Sequence, residues 1–194
     1  MPRTVAIIQG HPDPAGGRLC HALADAYAEG AVKAGHKVLR IDVARIDFPL
    51  LKSKEDFEKG VLPPSLNAAR DAITAADHLV TVFPLWLGAQ PALLKGFLEQ
   101  VARPGVAFAY QEKAMPKKLW ARKSARIIVT MGMPGIFYKV FYRSHGLKAL
   151  RRNVFEFVGI KPVRETVLGL VEGQKADHVR VWLDDMRRLG ARAE

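Results

Sequence analysis

Residues 11–18, His-Pro-Asp-Pro-Ala-Gly-Gly-Arg, combine two glycines with side chains that can donate hydrogen bonds to an anion. Gly16 and Gly17 let backbone N–H groups approach a ligand closely, and a helix that follows would present its positive end at the same place. His11 and Arg18 could add side-chain donors. The residues match neither a Walker A loop nor the G-x-G-x-x-G fingerprint. The stretch therefore suggests a phosphate-binding loop of another kind, with a plain turn as the alternative.

Residues 84–90, Pro-Leu-Trp-Leu-Gly-Ala-Gln, form a second stretch whose side chains are unusually apolar for a loop. The first proline ends the apolar run at 78–83 because it offers no N–H to a neighbouring strand, and Pro91 suits the first turn of a helix. Leaving the Leu-Trp-Leu run in water would cost about 25 cal/mol per Å² of apolar area. Either a flat apolar ligand covers these side chains, or they pack against the core. We expect Trp86 to stand beside such a ligand.

The hydrophobic periodicity predicts the elements that position these loops. Strands are predicted at 4–10, 37–42, 78–83, 125–130 and 163–170. Helices are predicted at 19–34, 54–59, 66–75, 91–101, 136–158 (bent near Gly146) and 176–189, and a basic linker is expected before the fourth strand. The alternation predicts an α/β fold with a doubly wound, five-stranded parallel sheet in the flavodoxin-like order 2-1-3-4-5.

In such a sheet, ligands bind beyond the carboxyl ends of the strands. Three loops would therefore converge, namely 11–18, 84–90 and 131–135. The third loop offers a backbone that a ligand can approach closely at Gly132. A ligand with a phosphate at one end and a flat ring at the other would satisfy all three loops, and flavin nucleotides have that shape.

Length and composition indicate an ordinary globular domain. The chain has 194 residues, 49% hydrophobic and 25% charged, which predicts one domain over 1–194. We expect no signal or transit peptide and no transmembrane segment. Cys20 is the only cysteine, so no internal disulfide is possible, and we expect a cytoplasmic protein. No metal site is predicted.

The formal net charge is +11. The basic residues of the C-terminal half are spaced among apolar ones, and no helix-turn-helix, zinc-finger or RNP-type pattern accompanies them. We therefore expect a solvated basic face or a phosphate-bearing ligand, and no nucleic-acid partner.

Three segments resemble the flavodoxin-like NAD(P)H:quinone oxidoreductases, including the bacterial modulator-of-drug-activity type. They are IIQGHPDPAGGRLCHALADAYAEGAVKAGHKV, FPLWLGAQPALLKGFLEQVARPGVAFAY and IIVTMGMPGIFY. The resemblance implies an enzyme that uses FAD or FMN and takes electrons from NAD(P)H. It would reduce quinone-like acceptors in two-electron steps with ping-pong kinetics. It also implies a homodimer, for which the aromatic run 136–142 is suited.

The same resemblance implies roles for individual residues. The flavin phosphates would be held by His11, Gly17, Arg18, Leu19 and Cys20. The isoalloxazine ring would be lined by Pro84, Leu85, Trp86 and Leu87, and closed on its third side by Thr130, Gly132 and Met133. Gly17 stands where many relatives carry Ser or Thr, so phosphate affinity must come from N–H groups and Arg18. Cys20 starts the first helix, where thiolate character is possible, although a small buried residue is the alternative.

Tyr138 and His145 are the catalytic candidates that the resemblance implies. Seven residues apart in one predicted helix, they would differ in direction by only about 20°. Both could donate to the charge that forms on the flavin and the acceptor, and packing or dimer contact is the alternative role.

Two other functions remain open from the sequence. One is a flavin-binding regulatory subunit of a membrane ion-transport system, the only route by which we expect membrane association. The other is a one-electron flavodoxin-like carrier, which the basic charge disfavours because such carriers have acidic surfaces.

Overall fold

A parallel sheet of five strands forms the centre of the chain in a computed structural model that describes residues 1–194. The sheet strands are β1 (Thr4–Gln9), β2 (Lys37–Asp42), β3 (His78–Pro84), β6 (Ser124–Thr130) and β7 (Val163–Leu168). Their order is β2-β1-β3-β6-β7, and every neighbouring pair is parallel. The predicted flavodoxin-like order 2-1-3-4-5 is therefore confirmed.

Helices cover both faces of the sheet. They are α1 (Leu19–Lys33), α2 (Lys54–Lys59), α3 (Asn67–Ala75), α4 (Ala92–Val101), α5 (Gly135–Val140), α6 (His145–Ala149) and α7 (Ala176–Arg192). Residues of α1 and α7 share one hydrophobic core, whereas α3, α4, α5 and α6 contribute to the core on the other face. No helix combines the length and the apolar character that crossing a bilayer requires.

Strand β3 explains why the apolar run at 78–83 is continuous. Leu79 and Phe83 belong to one core, whereas Val80 and Val82 belong to the other. Successive side chains of a strand point to opposite faces, so a strand covered on both faces has no position left for solvent-facing residues. The same burial holds β3 in a fixed register between β1 and β6, and it aims the following loop at the carboxyl edge of the sheet.

The predicted basic linker is partly wrong, because it contains a strand. Strands β4 (Phe108–Gln111) and β5 (Ala114–Lys118) form an antiparallel hairpin outside the main sheet. The sequence of β5, Ala-Met-Pro-Lys-Lys, lacks the apolar alternation of a strand, so its conformation depends on pairing with β4.

The predicted helix over 136–158 is also interrupted. Helix α5 ends at Val140, α6 begins at His145, and a π-helical segment follows at Leu150–Phe155. Arg143 and Ser144 between the two helices have φ angles of 50° each, which no right-handed helix allows. The assumption that Tyr138 and His145 share one stripe of a continuous helix is therefore wrong.

Candidate functional site

Three loops meet at the carboxyl edge of the sheet, and direct contacts join them. The Leu85 N–H donates to the Thr130 carbonyl at 2.8 Å, which links the loops after β3 and β6. The Cys20 Sγ lies 3.2 Å from the Thr130 Oγ1, which links the start of α1 to the end of β6. The rings of His11 and Trp86 lie edge to face with centroids 6.4 Å apart. The predicted convergence of loops is therefore present.

The loop after β1 is held by hydrogen bonds within itself. Asp13 accepts from the Ala15 N–H at 2.9 Å, and its other oxygen accepts from Nε and Nη2 of Arg18 at 2.9 and 2.8 Å. The Ala15 N–H and then the Arg18 guanidinium hold the pKa of the Asp13 carboxyl below its usual range. Arg18 is still largely exposed, so its remaining N–H groups are available to a ligand.

Five consecutive backbone N–H groups, from Gly16 to Cys20, have no acceptor in the protein. Gly16 and Gly17 adopt φ angles of 78° and 71°, a left-handed conformation that glycine adopts without strain. Arg18 is the N-cap residue of α1, and its side chain accepts no hydrogen bond from the backbone of the first turn. The N–H groups at the start of the helix therefore remain free. We call these five N–H groups the nest. Successive free N–H groups at a helix start bind anions, and phosphate above all.

His11 adds one further donor beside the nest. Its Nδ1 accepts the Asp13 N–H at 3.1 Å, which leaves Nε2 as the protonated nitrogen of the neutral ring. Burial, and then the neighbouring His21, lowers the pKa of His11, so the neutral form is favoured. The ring of His21 lies 5.2 Å from that of His11, and both of its nitrogens are enclosed without a partner.

The loop after β3 forms a tight turn with apolar side chains on its outside. Trp86 and Ala89 exchange two backbone hydrogen bonds of 2.9 and 3.0 Å, and Leu87 and Gly88 between them have φ angles of 47° and 81°. The Leu87 side chain is fully exposed and Trp86 is 52% exposed, whereas Leu85 packs against the core. Core packing thus accounts for Leu85 only. The N–H groups of Leu87 and Gly88 have no protein acceptor.

Cys20 and Thr130 face each other below the loops. Both are buried, and burial raises the pKa of the Cys20 thiol to about 11. A thiol with that pKa is protonated at neutral pH, so of the two predicted roles the structure favours a small buried residue over a thiolate. Any contact of Cys20 with a phosphate would come from its N–H group.

The loop after β6 borders a cleft of about 980 Å³. Gly132 is exposed, and Met133 is half-buried at the wall of the cleft. The remaining lining residues are Leu85, Leu87, Gly88, Ala89, Tyr138, Phe141, Tyr142, His145, Gly146 and Ala149. This volume is in the range of small-molecule sites, and the lining is mainly apolar.

Tyr138 lies in the wall of this cleft with its hydroxyl already engaged. The hydroxyl donates to the Gly88 carbonyl at 3.1 Å and accepts from the Leu147 N–H at 3.3 Å. The side chain is 1% exposed, and burial raises the pKa of the phenol. Gly146 completes this contact, because a Cβ there would lie only 2.1 Å from the Gly88 carbonyl oxygen. The phenol thus ties the turn of the second loop to α6.

His145 also lines the cleft, but it is exposed. The left-handed residues Arg143 and Ser144 separate α5 from α6, and both catalytic candidates line the cleft although one continuous helix does not connect them. Their assignment to the reaction stays a prediction.

The sequence reasoning did not identify Asp13, Gly88 or Gly146 as parts of this site. Each of the three acts through its own loop or helix, by holding Arg18, accepting from Tyr138 or permitting a close approach. The glycine at 146 was the only available signal, and it suggested a bend. A second concavity of about 610 Å³ lies away from the loops, between α4, the hairpin and residues 153–158.

Comparison with known proteins places this geometry in a family. The family model described as a flavodoxin-like fold (Flavodoxin_2) matches residues 3–188. A Haemophilus influenzae protein named an uncharacterized NAD(P)H oxidoreductase is 29% identical over 153 residues, which cover 76% of this chain and 75% of that one. The FMN-dependent NADH:quinone oxidoreductase 3 of Bacillus cereus is 27% identical, covering 89% and 88% of the two chains. The chain spans 51% of the rat NAD(P)H dehydrogenase [quinone] 1, at 26% identity and 62% coverage of this chain.

A solved structure gives the same result for the fold. The NAD(P)H:quinone oxidoreductase of Methanothermobacter marburgensis superposes with a TM-score of 0.82 over the full length of both chains at 24% identity. An FMN-dependent NADH-azoreductase of Bacillus anthracis, solved with FMN, superposes with a TM-score of 0.74 at 15% identity and covers 98% of each chain. The chain belongs to the Flavodoxin_2 family of flavodoxin-like proteins, whose members include NAD(P)H:quinone oxidoreductases.

Proposed function

We propose that this protein is an FMN-dependent NAD(P)H oxidoreductase that reduces quinone-like acceptors by two electrons. The observation that carries the proposal is the nest at Gly16–Cys20, which stands beside an exposed apolar turn at the edge of an apolar cleft. An anion site and a flat apolar surface are what the two ends of a flavin nucleotide require. The names of the matched FMN-dependent quinone oxidoreductases support the same chemistry.

The residues present fit FMN better than FAD. The phosphate monoester of FMN carries nearly two negative charges, and five N–H groups with Arg18 and His11 can surround it. Arg45 also contacts this loop, because its Nη2 donates to the Pro14 carbonyl at 3.0 Å. The names of the FMN-dependent relatives support FMN as well.

The rest of the site would orient the ring and exclude water. Trp86 and Leu87 would cover the isoalloxazine, Met133 would border it, and the free N–H groups of Leu87 and Gly88 would donate to its polar edge. When bound, the flavin supplies the hydride chemistry and the protein supplies the surroundings. The exposed His145 is the group that we propose as proton donor to an acceptor oxygen, because histidine is the residue type suited to proton transfer near neutral pH.

One cleft would serve donor and acceptor in turn. The second and third loops border the same cleft of about 980 Å³, so the oxidised donor would leave before the acceptor enters. Steady-state kinetics are then ping-pong, with parallel lines in double-reciprocal plots. Intersecting lines would contradict the shared cleft. Because NAD(P)H and reduced thiols are found inside cells, we place the activity in the cytoplasm.

We further propose that a second copy covers α5. Ile136, Val140 and Phe141 are each at least 68% exposed, and Phe137 stacks on Phe141 with ring centroids 4.9 Å apart. A contiguous apolar patch of this kind marks an interaction site. Light scattering on the purified protein should give twice the mass of the 21.5 kDa chain. A monomeric mass at micromolar concentration would contradict the dimer.

The decisive experiment follows the colour of the protein. Apoprotein mixed with FMN should retain visible flavin absorbance after gel filtration, whereas riboflavin, which lacks the phosphate, should be lost. NADPH or NADH should bleach the bound flavin without oxygen, and one equivalent of menadione should restore it. A protein that stays colourless refutes flavin binding, and a flavoprotein that no donor bleaches would favour the regulatory role over the enzyme.

A further inference from the structure

The segment after the third loop is rich in basic side chains and contains no carboxylate of its own. Residues 131–155 contain five basic side chains and no Asp or Glu. One of them, Arg151, pairs with Glu165 at 3.2 Å. The other four are exposed and form no ion pair or side-chain hydrogen bond, and they are Lys139, Arg143, Lys148 and Arg152. Their charge is therefore available to a ligand.

Two of these cations are next to residues that line the cleft. Arg143 lies between Tyr142 and His145, which both line the cleft. Lys148 is exposed on α6 and immediately precedes Ala149, which lines the same cleft as His145. The lining of the cleft is mainly apolar, whereas these two exposed neighbours of lining residues are cationic. A ligand that fits both has a flat ring and an anionic tail.

The turn that presents Arg143 is maintained against its backbone preference. Arg143 and Ser144 both have φ angles of 50°, and non-glycine residues adopt that region at a cost in free energy. Ser144 is buried, its N–H donates to the Tyr138 carbonyl at 3.2 Å, and its carbonyl accepts from the Lys148 N–H at 2.9 Å. This turn therefore fixes the backbone at Arg143. The hydrogen bond from the Lys148 N–H to the Ser144 carbonyl fixes the backbone at Lys148 as well. Costly conformations of this kind occur preferentially at functional sites.

The flavin does not require these cations, because its phosphate has the nest after β1. The phosphates of the electron donor, in contrast, have no binding group assigned so far. NADH carries a pyrophosphate, and NADPH carries in addition a phosphate monoester of nearly two negative charges on its adenosine ribose. Uncompensated cations attract the more highly charged of two otherwise identical ligands more strongly. We propose that Arg143 and Lys148 bind this extra phosphate and make NADPH the preferred donor, an inference that rests on the proposed function for the identity of the ligand.

Binding of the oxidised nucleotides tests the preference without turnover. Calorimetry at low ionic strength should give a Kd for NADP⁺ about tenfold lower than that for NAD⁺, which corresponds to about 1.4 kcal/mol. In the double variant Arg143→Gln, Lys148→Gln the two Kd values should become equal through loss of NADP⁺ affinity alone. Arg192→Gln is the matched control, since Arg192 is exposed and forms no ion pair. It ends α7 next to Ala193, whose carbonyl accepts a hydrogen bond from Arg3 at the opposite edge of the sheet. This control variant should keep the preference.

Bleaching of the bound flavin in stopped flow separates this inference from the proposed function. NADPH should reduce the flavin with a second-order rate constant about tenfold above that of NADH, and added salt should reduce the ratio. Equal Kd values and equal reduction rates for the two nucleotides in the parent protein would overturn the inference without contradicting the proposed enzyme activity. So would a preference that survives in the double variant or, should that variant not fold, in Lys148→Gln alone. Tighter NADP⁺ binding without bleaching by either donor would refute the proposed function and leave the phosphate contact standing.

Discussion

Replacing Tyr138 by Phe removes one hydroxyl and tests whether this residue positions the second loop or takes part in the chemistry. The hydroxyl joins the Gly88 carbonyl to the Leu147 N–H at 3.1 and 3.3 Å. The Gly88–Ala89 peptide is held at its other end as well, because the Ala89 N–H donates to the Trp86 carbonyl at 3.0 Å. Without the hydroxyl, one end of this peptide is released.

The size of the effect follows from the buried groups that lose a partner. A net hydrogen bond contributes about 0.5–1.5 kcal/mol, and an unsatisfied buried group costs about 1–3 kcal/mol. We expect Tyr138→Phe to lower the free energy of unfolding by about 2 kcal/mol, which lowers the Tm by roughly 4–8 °C for a chain of this size. If about 1 kcal/mol of that loss falls on the conformation of the turn, the Kd for FMN rises about fivefold.

The assay compares FMN affinity with the rate of flavin reduction. A positioning role predicts a higher Kd and a shifted flavin spectrum, with the reduction rate at saturating donor within about threefold of the parent, under 1 kcal/mol of barrier. Tyr142→Phe is the matched control for affinity and stability, because the Tyr142 hydroxyl has no protein partner. Gly146→Ala should produce the same loss of affinity by a steric route, since its Cβ would meet the Gly88 oxygen at 2.1 Å. An unchanged Kd with a tenfold slower reduction would refute this reasoning and restore Tyr138 as a catalytic residue.

Three further substitutions test the site and the core separately. Arg18→Ala should raise the Kd for FMN about five- to tenfold, below the full value of a charge-assisted bond because Asp13 already shares this guanidinium; an equal relative loss for riboflavin would disprove the phosphate contact. Trp86→Ala should weaken flavin retention and leave the Tm of the apoprotein nearly unchanged. Trp120→Ala, at a buried position, should lower the free energy of unfolding by about 3–5 kcal/mol. A comparable loss of stability in Trp86→Ala would place Trp86 in the core. Burial lowers the pKa of His78 to about 3 from 6.5, so only the unfolded chain takes up this proton between those values, and the free energy of unfolding should fall as pH drops by about 1.4 kcal/mol per unit. Because the unfolded histidine is only partly protonated near pH 6.5, urea titrations should give a free energy of unfolding about 2 kcal/mol lower at pH 5 than at pH 7. His78→Gln should lose this difference, and an equal difference in both proteins would assign the acid sensitivity elsewhere.

Much of the fold was predictable because the sheet strands are buried on both faces. A strand such as β6, buried at every position, must be apolar along most of its length, and helices with one buried stripe must alternate with such strands. The hairpin was not predictable, because β5 has no pattern of its own and is exposed at most positions. The break after α5 was not predictable either, since neither Arg143 nor Ser144 is a residue type that favours a left-handed turn.

The candidate site shows the same division. Glycines in the first loop and proline on either side of the second indicated where the converging loops lie, because those residues act through the backbone. The bond from Tyr138 to Gly88 was not predictable, since it depends on how α5 and α6 fold back over a loop fifty residues earlier in the chain.

The hydrogen bonds inside the first loop affect the free-energy cost of binding any ligand there. The Gln9 side chain receives the His11 N–H and donates to the Cys20 carbonyl, the His11 ring receives the Asp13 N–H, and Asp13 receives the Ala15 N–H. A loop fixed in this way has already lost its conformational freedom before a ligand arrives, so binding need not spend free energy on ordering it. If FMN binds here as proposed, the loop need not order around it. One flavin could then replace another without any part of the chain refolding.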